Sequence, residues 1–174
     1  MPEPLNEIRQ LHEELTKGYQ APEGRPLASY GILEAIYGTS VLGFITFVQR
    51  SGRSLPERIP SQDLALLGVA TYKLTRTLSQ EKVTSSLRSP FRRYVTDTHG
   101  TEVQEEPRGS GMQRAIGELL GCPFCLSQWI ATSLACGYVV APRHTRLVAG
   151  IFVLRAISDL MQYADTAVVA AVEG

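Results

Sequence analysis

The run Gly121–Ala141, GCPFCLSQWIATSLACGYVVA, holds 21 consecutive residues without a charged side chain. As an α-helix it is about 31 Å long, close to the hydrocarbon thickness of a bilayer. Gly121 and Pro123 suit a helix start, where proline removes an N–H that has no partner anyway. The run contains all three cysteines and the only tryptophan. At about 100° per residue, Cys122, Cys125, Trp129, Thr132 and Cys136 share one face. Cys136 lies too far along the axis, about 16 Å, to pair with Cys125 within the helix. The small residues Ser127, Ala131, Ser133, Ala135 and Gly137 allow close helix packing. This run predicts a membrane-spanning helix with two thiols at its entrance.

Cys122 and Cys125 admit two readings. A helix N-terminus favours thiolate, which points to a reactive or metal-binding pair. Cysteine is also a common packing residue. A thioredoxin-like motif would need a βαβ pattern, and the sequence has none. One such pair supplies half of a structural zinc site, so zinc would need further ligands, and a second copy could supply two more cysteines. No other cofactor is expected.

The remaining charges explain why the run matters. Lys+Arg and Asp+Glu both number 17 in a chain of 174 residues, so no net charge draws it to nucleic acid. Apolar content is 44% overall, yet charges crowd into 1–25, 50–63, 73–118 and 143–165 and leave apolar stretches between them. The N-terminus, PEPLNEIRQLHEELTK, lacks the basic and apolar regions of a secretory signal. An odd cysteine count argues against a secreted disulfide scaffold.

The fold expected is all-α: a small helical membrane bundle of three or four spans behind an N-terminal amphipathic helix. Residues 1–26 form that helix and its linker, with Leu5, Ile8, Leu11 and Leu15 at helical spacing over 3–17. Residues 27–174 form the membrane domain, with spans expected at 27–49, 63–80, 119–141 and 146–171. The first carries Glu34 and a small-residue track, Gly31, Ala35 and Gly38. The second is short of apolar length, because only Leu64–Tyr72 is charge-free, about 13 Å of helix. Its Lys73 and Arg76 share a face and can reach toward an interface. The last carries Arg155 and Asp159, an i,i+4 pair expected to bond on one helix face. Glu34, Lys73, Arg76, Arg155 and Asp159 are thus the intramembrane charges, which by default face protein and have partners.

Residues 81–117 read as a polar segment. Arg88, Arg92 and Arg93, interleaved with Phe91 and Tyr94, form a basic cluster suited to lipid head groups. Thr98–Gly111 reads as a mobile acidic loop, and its His99 has no ligand-spaced neighbour. Lys and Arg prefer cytoplasmic loops, so 81–117 and the C-terminus are expected inside. That orientation puts Cys122 and Cys125 at the cytoplasmic end of their helix, where thiols stay reduced, and leaves Cys136 deeper and inert.

Three blocks, TYKLTRTLSQEKVTSSLRSPFRR, EEPRGSG and GELLGCPFCLSQWIAT, resemble the small bacterial membrane proteins of the domain of unknown function 1360. The likeness runs from Ala65 to Tyr163. Arg76, Arg88, Cys122, Pro123, Cys125 and Trp129 occupy the positions of the family pattern, and Glu81 stands where that pattern has aspartate. The resemblance implies a bacterial cytoplasmic-membrane protein, in a family with some links to sporulation. It implies no catalytic mechanism. The functional expectation is a non-enzymatic scaffold or partner in a membrane assembly, touching the bilayer and either other membrane proteins or itself. The alternatives are a thiol protein that binds metal or exchanges disulfides through Cys122 and Cys125, a small oligomeric transporter or channel, and a soluble protein with buried apolar helices.

Overall fold

The computed structural model describes residues 25–98 and 100–173, together with positions 6, 7, 10, 11, 14 and 15, which are helical. The rest of the expected N-terminal amphipathic helix, and His99, lie outside the described residues. From Leu27 onward the described residues are mostly helical, with an irregular connection over 51–60 and one small hairpin. Helix α1 spans Leu27–Arg50, α2 Ser61–Gln80, α3 Ser85–Arg88, α4 Gly111–Gly121, α5 Pro123–Val140 and α6 Pro142–Glu173. A single 3-10 turn, Lys82–Thr84, joins α2 to α3.

Helix boundaries follow local chemistry. Proline opens α5 and α6 at positions where a missing N–H costs nothing. Helix α1 stops at Ser51–Gly52, where Gly52 takes φ +67°. Helix α2 begins at Ser61 itself behind Pro60, so Ser61 sits inside the helix rather than capping it. Asp63 falls in its first turn, where the helix dipole favours an anion.

The expected 119–141 span is two helices rather than one. The backbone of Cys122 is extended, and this residue ends α4 and caps α5. The acidic stretch expected as a mobile loop is also structured. Strands β1 (Arg92–Asp97) and β2 (Val103–Pro107) pair antiparallel, with Arg93 opposite Glu106 and Tyr94 opposite Glu105. The register slips between Tyr94 and Thr96, so one residue of β1 is left over, as in a bulge. Glu81 bridges to Glu102, tying the hairpin to the end of α2.

Contacts fix the helix directions. Asp63 of α2 reaches Tyr138 near the end of α5 and Arg146 near the start of α6. Lys73 of α2 meets Asp159 of α6. Helices α2 and α6 therefore run together, and α5 runs against both. Tyr37 of α1 meets Gln128 and Thr132 of α5, and Arg53 just beyond α1 donates to the carbonyl of Val140. Helix α1 therefore runs with α5. The hairpin, α3, α4 and the start of α5 gather at one end of the bundle as a polar cap.

The apolar core is small: Leu67, Ala70, Tyr138 and Ala149, flanked by Ile59, Leu66, Leu134, Phe152 and Val153. Helices α5 and α6 approach closely where they meet, since a Cβ on Gly137 would lie 2.9 Å from Thr145 Oγ1. Outside this core the helices present apolar side chains outward. Leu42, Leu147, Leu154, Leu160 and Val172 are each more than 60% exposed. Helix α2 does the same and turns its polar side chains inward, with Asp63, Lys73, Thr75, Thr77 and Ser79 buried and Leu64, Val69 and Tyr72 outside. Polar-in and apolar-out patterning suits a bundle whose surroundings are lipid. Three helices, Leu27–Arg50, Pro123–Val140 and Pro142–Val172, are long and apolar enough to cross a membrane. Helix α2 falls short of that composition, as its sequence foretold.

Candidate functional site

The polar cap joins two ion-pair networks to the cysteine pair. The first network lies between α2 and α6. Glu81, one residue past α2, is 2% exposed. One of its carboxylate oxygens accepts from Lys73 Nζ at 2.5 Å and from Thr77 Oγ1 at 3.1 Å, and the other accepts from Arg155 Nη2. Lys73 also bonds Asp159 at 2.5 Å. Arg155 therefore pairs across the bundle with Glu81 rather than along its own helix with Asp159, correcting the sequence expectation. Lys73 is buried and doubly paired, so it does not extend to an interface. Arg76 bonds Glu102 of the turn before β2 and lies 6.0 Å from the Tyr72 ring.

Glu34, the fifth expected charge, is not in this cluster. It is exposed on α1 and makes no ion pair among the described residues. A separate pair closes the opposite end, where Arg146 donates to both Asp63 oxygens at 2.7–2.8 Å and Tyr138 donates to Asp63 at 2.6 Å.

The second network organises the cap itself. Arg88 is 1% exposed. Its guanidinium bonds both oxygens of Glu105, the carbonyls of Leu78 and Glu81, and the hydroxyls of Thr84 and Ser85. Arg92 shares Glu105 and donates to the carbonyls of Glu105 and Gly117. Arg88 and Arg92 are thus committed to holding the hairpin against α2 and α4. They are not placed to reach lipid head groups, which corrects that expectation. Of the three expected arginines only Arg93 is open to its surroundings, in a surface pair with Glu106.

Burial pushes the Glu105 carboxyl up, but the hydrogen bonds and charge of Arg88, followed by the charge of Arg92, outweigh it and hold the carboxyl below its ordinary value. Burial pushes Arg92 down, opposed by Glu105.

Glu102, Glu105 and Asp63 were not singled out as sites in the sequence. For Glu105 the available signal was the pair of acids in VQEEP and the pair of arginines in FRRY, which meet only once the two segments are read as paired strands.

The cysteine pair sits beside the second network. The extended Cys122 backbone and the first turn of α5 bring the two Cα atoms to 5.3 Å, and the sulfurs are joined as a disulfide. Cys125 N–H donates to Cys122 Sγ at 3.2 Å, so Cys122 is also the side-chain cap of α5. The sequence expectation was two reduced thiols, reasoned from the helix start and the compartment; the local geometry instead lets the pair close. Cys136 is free and half-buried on α5. Among the described residues no group of three or more His, Cys, Asp or Glu is placed to hold a metal ion.

The chain is 28% identical over 114 residues to UPF0713 protein YngL of Bacillus subtilis, covering 64% of this chain and 82% of that protein. It is 31% identical over 102 residues to the sporulation protein YjcA of the same organism, covering 57% of this chain and 86% of that one. No solved structure matches. The family model described as protein of unknown function (DUF1360) matches residues 66–165, which take in both networks and the cysteine pair, and the chain belongs to that family.

Proposed function

We propose that this is a multi-pass protein of the bacterial cytoplasmic membrane that serves as a non-enzymatic scaffold or partner within a membrane assembly. One observation carries the reading: α1 is long enough to span, yet it is barely packed. Only Ser29 and Val48 of its 24 residues are buried, and a Cβ on Gly31, Gly38 or Gly43 would meet nothing within 4 Å. Small residues on an apolar helix let another helix approach closely, and among the described residues no helix of the same chain uses them.

The transport reading draws less support, because Lys73, Arg76, Arg155 and Asp159 are satisfied by protein partners. Helix α2 lies lengthwise between α5 and α6, and this supports its crossing with them. Four crossings put both chain ends on the cap side. The basic residues of 81–117 favour that side as cytoplasmic.

Photo-crosslinking in native membranes tests the proposal. A crosslinking residue at Gly31 or Gly38 is expected to give discrete protein adducts, while one at Leu154 on α6 gives mainly lipid adducts. Lipid adducts alone at all three positions would end the scaffold reading. Release of the protein by an alkaline carbonate wash would end the membrane assignment itself.

A further inference from the structure

We infer that Cys122 and Cys125 form a dithiol–disulfide couple that exchanges electrons with a dithiol or disulfide of another molecule at the cap surface. Four observations converge on it. The sulfurs are already bonded across one helical turn. Cys122 caps an 18-residue helix, and its sulfur receives the Cys125 N–H, so the helix N-terminus favours an ionised sulfur there.

Arg92 supplies positive charge beside Gly121, the residue before Cys122. Its guanidinium lies against Gly121, so close that a Cβ on that glycine would overlap it. Arg88 and Arg92 share the carboxylate of Glu105, and the nearby Glu118 is paired with Arg114, so these three arginines and two acids leave one positive charge uncompensated. Finally, the pair can be approached, with Cys122 half-buried, Cys125 exposed and Phe124, between the cysteines, 89% exposed.

In the reduced state the Cys122 thiolate attacks one sulfur of a partner disulfide. That bond breaks, a mixed disulfide forms and one partner thiolate leaves. Cys125 then gives up its proton to water and attacks Cys122 Sγ. The intramolecular bond closes and the second partner thiolate departs. Two electrons pass from the pair to the partner, and a partner dithiol drives the same steps backward. Cys136, lower on the helix, takes no part.

Full-length protein in membrane vesicles is equilibrated with dithiothreitol buffers of graded oxidation, quenched in acid and alkylated with a polymer-linked maleimide. Gel mobility should show Cys122 and Cys125 opening and closing together in one two-electron transition, unaffected by Cys136→Ser. In Cys125→Ser protein, Cys122 should trap a mixed disulfide. Oxidised glutathione added to vesicles gives a small adduct, and a protein partner in cells gives a larger band that reductant collapses, so the two sources are distinguished. In that background Arg92→Gln should slow Cys122 alkylation, and Arg92→Lys should restore it. A pair that never closes, or Cys125→Ser protein that traps nothing in either setting, overturns the proposal. Equal alkylation rates with Arg, Gln and Lys at position 92 overturn the part given to Arg92.

Discussion

Arg155 of α6 bonds Glu81, just beyond the end of α2, and leaves Asp159, four residues along its own helix, to Lys73 of α2. Each helix thus satisfies charge on the other, and the two are locked in one axial register. A pair along a single helix would say nothing about how α2 and α6 are aligned. Retaining buried charge generally gives less stability than apolar packing would, but breaking one partner leaves the other stranded.

Glu81 is therefore the residue whose loss should cost most. Glu81→Ala strands Lys73 against Asp159 alone and frees Arg155, with an expected cost of about 3–5 kcal/mol. Arg155→Ala should cost less, because its side chain is 39% exposed. Arg143→Ala, on an exposed residue of the first turn of α6, should be near neutral. Thermal unfolding of the detergent-solubilised protein checks the order. Equal effects at positions 81 and 143 would contradict the network.

Glu105 makes the cap sensitive to acid. Its folded-state carboxyl ionises below the ordinary value of 4.5. Its contribution is therefore complete above that value and is lost as pH falls through the lower folded value. Loss of hairpin protection in hydrogen exchange is expected below about pH 4.5 and not between pH 6 and 8. Glu105→Gln should remove this step and destabilise the cap at neutral pH by about 3–5 kcal/mol, since Arg88 is left buried without an anion.

Gly117 is required by a close approach. A Cβ there would stand 2.4 Å from the Phe91 carbonyl oxygen, a backbone atom that cannot swing aside. Gly117→Ala should cost about 1–3 kcal/mol and loosen α4 from the hairpin. Gly31→Ala on α1 meets nothing, so it should be neutral, or stabilising by up to about 1 kcal/mol through helix propensity. A melting comparison of the two variants decides the matter.

Helix content, the three apolar spans and the weakness of the fourth could be read from the sequence, because uncharged length and periodicity are local properties. The resemblance carried by TYKLTRT…CPFC likewise rests on chain order alone. Three features could not be read that way. The partner of Arg155 depends on which helix lies opposite, and i,i+4 spacing within α6 could not reveal Glu81. The burial of Arg88 and Arg92 depends on a hairpin that brings Glu105 from 17 and 13 residues away. A basic cluster looks solvated until its anion arrives. The closed state of Cys122 and Cys125 depends on the extended backbone at Cys122, which interrupts what the sequence presents as one uncharged helix. Local pattern determined which segments are helices; the pairing of charge across the bundle was decided only when those helices packed.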